Sequence, residues 1–453
     1  MGFGGKGFTK VDGLALFVRN SLPGQTLKVK IIKKRKGFAE AIPISVIEQS
    51  KHYVDPECPH FKYCGGCSLQ NLSYSEQLEQ KSRQVGEVLQ HIGGVRGVNV
   101  EPIIAAPDVF YYRNKMEFSF SNKRWLTDED EQKPKDFALG LHVPGNYEKV
   151  LDIDDCRLQS EVSNKILASV KKSAQEYKFK PYDNKNHSGN LRYLIIKQAA
   201  NSDDLFVNIV TKYDEPMKLD KIVKKLIKDC PEITTVVNVI NDSVASIAYG
   251  TKVNVMHGSG LFNEKIGSVH LELGPQEFLQ TNTKAAELLY QKIIDFAELN
   301  EKMNVFDLYS GVGSISISIA SQVQKVTGFE LLPEAVDSAG RNAVSNGVLN
   351  CNFISGDMRE LFRDVDYIRK VHGTPDVIIL DPPRSGIHPS MPKRISNLKP
   401  KKVIYVSCNP ASFARDVKLF DERGYKLVKL QPFDLFPHTP HIELVSLLVP
   451  KSD

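Results

Sequence analysis

At 453 residues the chain is too long for one hydrophobic core and has room for about three domains. No apolar run approaches the length that crosses a membrane, which excludes a membrane-spanning helix and predicts a soluble protein. Seven cysteines, an odd and modest count with no apolar leader ahead of them, exclude a disulfide scaffold and point to a reducing cytoplasm.

The first element in chain order is basic. Residues 1–58 hold ten Lys and Arg against five Asp and Glu, and the rest carries 49 of each, so this segment accounts for the net charge of +5. A basic appendage on a neutral body suggests a polyanion partner. Within it GLALFVRN, GQTLKVKIIKKRKGFAEAI and PISVIEQS read as short strands parted by Gly and Pro turns. That pattern suits a small β-barrel of oligonucleotide-binding type over residues 1–57. Lys33, Lys34, Arg35 and Lys36 are its candidate RNA contacts, weighed against a plain solvated turn.

Cys58, Cys64 and Cys67 follow in CPHFKYCGGC, and the distant Cys156 stands in DIDDCRL. Four thiolates suit a structural zinc or an iron–sulfur cluster, and spacing leaves both open. YYRNKMEFSF (111–120) alternates as a strand does and carries Arg113 among aromatics, as an RNA-facing sheet would. An ordinary half-buried strand has the same pattern. TDEDEQKPKD (127–136) reads as a polar loop. HSGNLRYLIIKQ (187–198) and LFVNIVT (205–211) predict adjacent antiparallel strands, and IVKKLIKDC (222–230) an amphipathic helix. Residues 58–270 are thus an α+β central domain by elimination, and Cys230 and Cys351 read as packed residues outside the quartet.

From about 271 to 453 strands and helices alternate as in a doubly wound parallel α/β sheet, where ligands gather beyond the carboxyl ends of the strands. NVFDLYSGVGSISISIA (304–320) is an apolar run, a glycine-bearing turn and a predicted helix, with Tyr309 and Gly311 at the turn. KVTGFE (325–330) ends in Glu330, placed to accept hydrogen bonds from the ribose of an adenosine ligand. A dinucleotide and S-adenosylmethionine both satisfy that pattern. PEAVDSAGRNAVSNG (333–347) opens with Pro and closes with Asn-Gly, the start and stop signals of a helix. DVIILDPPRSGIH (376–388) ends its strand at Asp381, and two prolines then stiffen a rim. Methyltransferases that act on exocyclic amino groups carry an aromatic after a related Pro-Pro pair. Arg384 stands there instead, and its guanidinium can hold a carbonyl, a phosphate or the plane of a base.

KVIYV (402–406) runs into the polar SCNP, so Cys408 falls where a strand ends rather than inside a core. With Glu443 in HTPHIELV (438–445) it supplies a nucleophile and a base for making a bond to carbon. Uracil C5 is too electron-poor to attack a methyl donor directly. A thiolate added at C6 makes C5 an enolate carbon, and a base then removes the C5 proton as the thiolate leaves. Enzymes that methylate cytosine C5 in RNA share this layout but usually carry a further cysteine in the Pro-rich motif, and none lies between Cys351 and Cys408. His438 and His441 lack a third ligand at metal spacing, so positioning or hydrogen bonding is their expected role.

GPQEFLQTNT (274–283), DLYSGVGS (307–314), GFE (328–330), LDPPRSG (380–386), YVSCNP (405–410) and FPHTPHIELV (436–445) occur in one order across the carboxyl-terminal half. In these motifs the chain resembles the RNA uracil-5-methyltransferase family, the bacterial 23S rRNA branch in particular. The resemblance implies a class I, Rossmann-like catalytic domain over 271–453, in which Gln280, Tyr309, Glu330, Asp357 and Asp381, beside the Gly311 turn, bind S-adenosylmethionine. It further implies that Cys408 is the nucleophile and Glu443 the proton-abstracting base. At the amino end it implies a TRAM domain, and on the four cysteines a [4Fe-4S] cluster with a structural or RNA-positioning task. The expected protein is a cytoplasmic monomer that methylates uridine in 23S rRNA and makes no use of a membrane. A tRNA uracil-5-methyltransferase and a non-enzymatic iron–sulfur RNA-binding protein are the alternatives. A small-molecule methyltransferase is disfavoured by the basic amino-terminal segment.

Overall fold

The computed structural model describes residues 1–2, 4–95, 97–98, 100–128 and 134–451, so residues 129–133 of the expected polar loop lie outside the described residues. The chain opens with β1 (Gly7–Val11), β2 (Leu14–Val18), β3 (Thr26–Arg35) and β4 (Phe38–Glu48), in the order β1-β2-β4-β3. Leu16, Val18, Ala39 and Ala41 form its small core. Among the described residues this sheet has β1 and β3 at its edges, and the small barrel of oligonucleotide-binding type that the sequence predicts is not shown. The register of the long β3–β4 hairpin shifts three times, and such bulges bend it over the small core.

After the cysteine-bearing segment come α1 (Tyr74–Val88), which ends in a π-helical turn (Leu89–Gly93), then β5 (Lys115–Ser121), β6 (Arg124–Trp125), β7 (Ala138–Val143), β8 (Asn146–Asp152) and α2 (Glu161–Glu176). β9 (Leu191–Gln198), β10 (Leu205–Thr211), α3 (Pro216–Asp229), β11 (Thr235–Ile240) and β12 (Lys252–His257) follow. The strands make one eight-stranded sheet, β12-β11-β10-β9-β5-β7-β8-β6, and β9 and β10 pair antiparallel as their sequences predict. The apolar stripes of α2 (Ile166, Leu167, Val170) and α3 (Leu219, Ile222, Leu226) share a core with Phe118, Leu194 and Val207 of the sheet.

A hairpin of β13 (Phe262–Ile266) and β14 (Val269–Leu273) leads into α4 (Thr283–Ala297), β15 (Asn304–Leu308), α5 (Ser314–Ile319), β16 (Lys325–Glu330), α6 (Pro333–Ser345) and β17 (Cys351–Ser355). Two short helices, α7 (Met358–Leu361) and α8 (Val365–His372), precede β18 (Val377–Leu380), α9 (Met391–Leu398), β19 (Lys402–Ser407), α10 (Pro410–Asp421), β20 (Tyr425–Phe433) and β21 (Glu443–Pro450). The sheet order is β17-β16-β15-β18-β19-β21-β20; the first five strands are parallel and β21 is antiparallel to both its neighbours. Both faces are covered. Val305, Ile379, Ile404 and Val445 point to the side of α4 and the β13–β14 hairpin, while Phe306, Ile378 and Tyr405 point to the side of α9 and α10. The chain order reverses between β15 and β18, which opens a crevice at their carboxyl ends.

The sequence does not announce that α1, its π-helical turn, Val100 and Ile104 pack against this catalytic domain. Val85, Val88 and Leu89 join the core of Val417 and Phe420 on α10, and Val100 and Ile104 make bridges to Leu430 and Phe433 on the edge strand β20.

Candidate active site

Tyr309, Asp381 and Cys408 each stand one residue past the ends of β15, β18 and β19, and Glu330 is the last residue of β16. Because β21 runs antiparallel to β19, the pairing of Ser407 with Leu444 sets Glu443, the first residue of β21, beside the strand end that leads to Cys408. Topology alone therefore brings together residues separated by more than a hundred positions.

Burial dominates the electrostatics. The Cys408 thiol is pushed up to about 11, by burial first and then by the charges of Glu443 and Asp381, while Arg384 pulls the other way. Glu443 is buried, and burial followed by Asp381 holds its carboxyl well above the ordinary range. Asp381 is pushed up to about 7 by burial and then by Asp307. Asp307 itself, wholly buried in β15, is pushed up to about 6 by burial although Ser316 Oγ donates to it at 2.6 Å. A chain of acids thus runs along the crevice with one guanidinium at its rim. A group of this kind favours a cationic ligand over an anionic one.

The turn after β15 is shaped for close approach. Tyr309 has a left-handed backbone (φ 71°), a costly state for an aromatic residue that persists where surroundings impose it. Its N–H and that of Ser310 both donate to the Phe329 carbonyl, at 2.8 and 3.1 Å. Gly311 (φ 54°) has nothing within 4 Å of where a Cβ would stand, so its backbone faces open space, and its N–H donates to Glu330 Oε2 at 3.1 Å. The other Glu330 oxygen accepts from the N–H groups of Leu331 and Leu332, which fixes the carboxylate at the mouth. Asp307 Oδ1 and Ser310 Oγ are buried without a protein partner, the condition of atoms that serve a ligand.

The remaining expected contacts stand at varying distance from this centre. Gln280 is half-buried just before α4, and its carbonyl accepts from Asn114 Nδ2 at 2.9 Å. Asp357 caps α7 and is paired with Arg359 at 2.7 Å, which holds its carboxyl down at about 2. Arg384 is exposed on the Pro-Pro rim, 3.5 Å from His441 Nε2. Asn409 Nδ2 and Ser412 Oγ anchor the Arg384 carbonyl at 2.9 and 3.1 Å, and Asp416 accepts from Ile387 N–H and the Tyr405 hydroxyl behind it. Lys33, Lys34 and Arg35 end β3 and Lys36 follows in the turn, all exposed and far in sequence from this cleft. Arg113 is half-buried instead, its guanidinium 5.6 Å from the Phe436 ring.

Residues 262–451 match the sequence model of the family described as tRNA (Uracil-5-)-methyltransferase. Over 442 residues the chain is 38% identical to an uncharacterized RNA methyltransferase of Chlorobaculum tepidum, covering 96% of this chain and 91% of that one. It is also 38% identical to an uncharacterized RNA methyltransferase of Bacteroides thetaiotaomicron, with 98% of each covered. The chain belongs to the RNA uracil-5-methyltransferase family. It is an S-adenosylmethionine-dependent RNA methyltransferase. Among solved structures it is similar to Pyrococcus abyssi tRNA (uracil-54, C5)-methyltransferase in complex with S-adenosyl-L-homocysteine, at TM-score 0.74 and 29% identity, covering 98% of this chain and 97% of that one.

This methyltransferase also has a cluster of four thiols away from the cleft. Cys58, Cys64, Cys67 and Cys156 line one small cavity with Leu141, Ile153 and Leu158. Cys64 and Cys67 are pushed up to about 12, chiefly by burial, and the other three thiols add to each of these shifts or, for Cys64, two of them do. Even so, among the described residues no group of three or more His, Cys, Asp or Glu side chains stands in the arrangement that holds a metal ion. No helix of the described residues is long and apolar enough to cross a membrane.

Sequence reasoning missed several residues around the methyltransferase cleft. Asp307 is one, and its only signal in the sequence is an acid standing within the apolar run NVFDL. Gln77, Lys81 and Tyr112 gave none, because nothing in a linear pattern says that α1 and the segment before β5 pack on the loop ahead of Glu443.

Proposed function

We propose that the protein methylates C5 of one or more uridines in RNA, 23S rRNA foremost, with Cys408 as nucleophile and Glu443 as base. The observation that carries this reading is the adjacency of a thiol and a deeply buried carboxyl at the abutting ends of β19 and β21, each within electrostatic reach of the other. Cys408 adds to C6 of the uracil, Arg384 orients a carbonyl or phosphate at the rim, and Glu443 in its carboxylate form takes the C5 proton as Cys408 leaves. Apolar burial raises the proton affinity of that carboxylate and so its strength as a base.

S-adenosylmethionine, when bound, supplies a methyl group on a positively charged sulfur. Gln280, Tyr309, Gly311, Glu330, Asp357 and Asp381 would hold it. The acid-lined crevice, the open face of Gly311 and the unpartnered Asp307 Oδ1 and Ser310 Oγ support that fit.

A [4Fe-4S] cluster on Cys58, Cys64, Cys67 and Cys156 belongs to the same reading, with zinc as its competitor. The four thiols that line one cavity support a site of this kind and leave cluster and zinc as alternatives. Iron and acid-labile sulfide in anaerobically purified protein support the cluster; a colourless protein with stoichiometric zinc overturns it. The division proposed is an RNA-binding TRAM-type sheet at 1–57 bearing Lys33 to Lys36, a cysteine-bearing part at 58–270 bearing Arg113, and a catalytic part at 271–453, acting as a cytoplasmic monomer. The packing of the β13–β14 hairpin in the catalytic core argues for drawing the last boundary before residue 262.

A tRNA substrate is the second reading. Its support is the likeness to the Pyrococcus abyssi tRNA enzyme, which extends over 98% of this chain and so includes the cysteine-bearing part. Purified protein, S-adenosylmethionine and unmodified 23S rRNA or tRNA, followed by mapping of 5-methyluridine at nucleotide resolution, separates the two. Methylation of 23S rRNA alone supports the first reading, methylation of tRNA moves the protein to the second, and silence with both overturns the activity.

A further inference from the structure

The chain enters the strand of Glu443 through DLFPHTPHI (434–442), and beside Asn282 and the loop's own side chains, residues outside the catalytic half hold its backbone at 436–438. His438 has a left-handed backbone (φ 65°), uncommon outside glycine although histidine adopts it more readily than most residues. Gln77 of α1, with no exposed surface, grips this turn: its Oε1 accepts the His438 N–H at 2.9 Å and its Nε2 meets His438 Nδ1 at 3.3 Å. The same Nε2 lies 2.9 and 2.8 Å from the carbonyls of Leu69 and Leu72, so one amide staples three stretches of chain. The N–H groups of Ser68 and Leu69 donate to the His438 carbonyl at 2.9 and 3.0 Å, and its ring stacks on Phe110 at 4.4 Å. One residue earlier the Pro437 carbonyl accepts from the Tyr112 hydroxyl at 3.0 Å. Cys408 is held differently, at the end of β19 and ahead of the Asn409 cap of α10, with no bond to this loop among those supports.

We infer that Gln77, seconded by Tyr112, is a positioning residue for removal of the C5 proton. Together they fix the turn at 437–438, and that turn sets where Glu443 stands over the substrate held by Cys408. The inference rests on the roles proposed for Cys408 and Glu443. In the step concerned the Glu443 carboxylate takes the proton from C5, the C5–H electron pair restores the C5–C6 double bond, and the Cys408–C6 bond breaks to release thiolate. Loosening the turn displaces the base and spares the nucleophile, so methyl transfer survives while release slows.

The test compares Gln77→Ala, Tyr112→Phe and Glu443→Gln with the unaltered protein, each given S-adenosylmethionine and unmodified 23S rRNA and tRNA transcripts. Methyl incorporation in a single turnover, RNA bound covalently to protein on a denaturing gel, and thermal melting are read together. Gln77→Ala is expected to transfer methyl at close to the usual rate but to release product about ten- to a hundredfold more slowly, so that methylated adduct accumulates. Release at the ordinary rate, or equal loss of methyl transfer and release, overturns the inference and leaves the roles of Cys408 and Glu443 standing. Failure of Glu443→Gln to trap any adduct overturns those roles and the inference with them. Should Gln77→Ala melt below the assay temperature, Tyr112→Phe decides by the same readouts, since it removes one hydroxyl and leaves the ring in place.

Discussion

Cys408 and the quartet of Cys58, Cys64, Cys67 and Cys156 are all thiols whose protonation burial favours, yet their surroundings differ. Cys64 and Cys67 sit in a small cavity with apolar walls, among other thiols that make ionisation harder still. Cys408 opens onto a crevice where Glu443 and Asp381 oppose its ionisation and Arg384 favours it, as Arg157 does for Cys58 and Arg113 for Cys156. The difference teaches what each can do. The quartet gathers four thiols on one cavity, a grouping suited to a cation shared by several sulfurs, whereas Cys408 is a single thiol just past a strand end, suited to attack on a substrate carbon.

That contrast breaks most visibly at Cys408. Cys408→Ala is expected to abolish methyl transfer, a loss on the order of a thousandfold or more, while leaving any metal content of the quartet unchanged. Metal analysis alongside a tritium-transfer assay checks both halves. The next largest effect concerns the bond between the two regions, the fully buried pair of Lys81 on α1 and Asp434 at 2.6 Å. Lys81→Ala strands a buried carboxylate and should cost about 3–5 kcal/mol in denaturant unfolding, and Lys81→Met with Asp434→Leu should recover most of it.

The acids of the crevice sharpen the comparison through pH. Asp381, at about 7, and Asp307, at about 6, keep protons in the folded state that the unfolded chain has released by about pH 4. Their stabilising contribution is therefore complete below about pH 4 and is lost as pH rises through about 7. Thermal melts across this range should fall with rising pH, and Asp381→Asn should flatten the slope. The smallest effect is on Cys408 reactivity. Arg384→Ala should slow its alkylation by iodoacetamide at pH 8 by up to about tenfold, one pKa unit, and leave the quartet's alkylation untouched.

The catalytic sheet was largely legible because Tyr309, Glu330, Asp381 and Cys408 fall at or just past strand ends, and the doubly wound topology then gathers such ends without further information. Glu330, Asp381 and Cys408 follow apolar runs whose length alone sets their place, and the helix over Pro333–Ser345 begins and ends on its Pro and Asn-Gly signals. What escaped were contacts between distant segments. The packing of α1 on α10, the bridges of Val100 and Ile104 to β20, and the grip of Gln77 on His438 depend on docking, which no periodicity encodes. Closure of the amino-terminal strands into a barrel was not legible for a related reason: strands can be read from alternation, but closure depends on whether two edges meet.

The most direct test of the account is the fate of RNA on the Glu443→Gln protein. With S-adenosylmethionine and unmodified rRNA, this variant should transfer one methyl group and then retain the RNA, with peptide mass spectrometry placing the methylated uridine on Cys408. Free 5-methyluridine-containing RNA released at the unaltered protein's rate, or an adduct on any other residue, would contradict the pairing of Cys408 with Glu443.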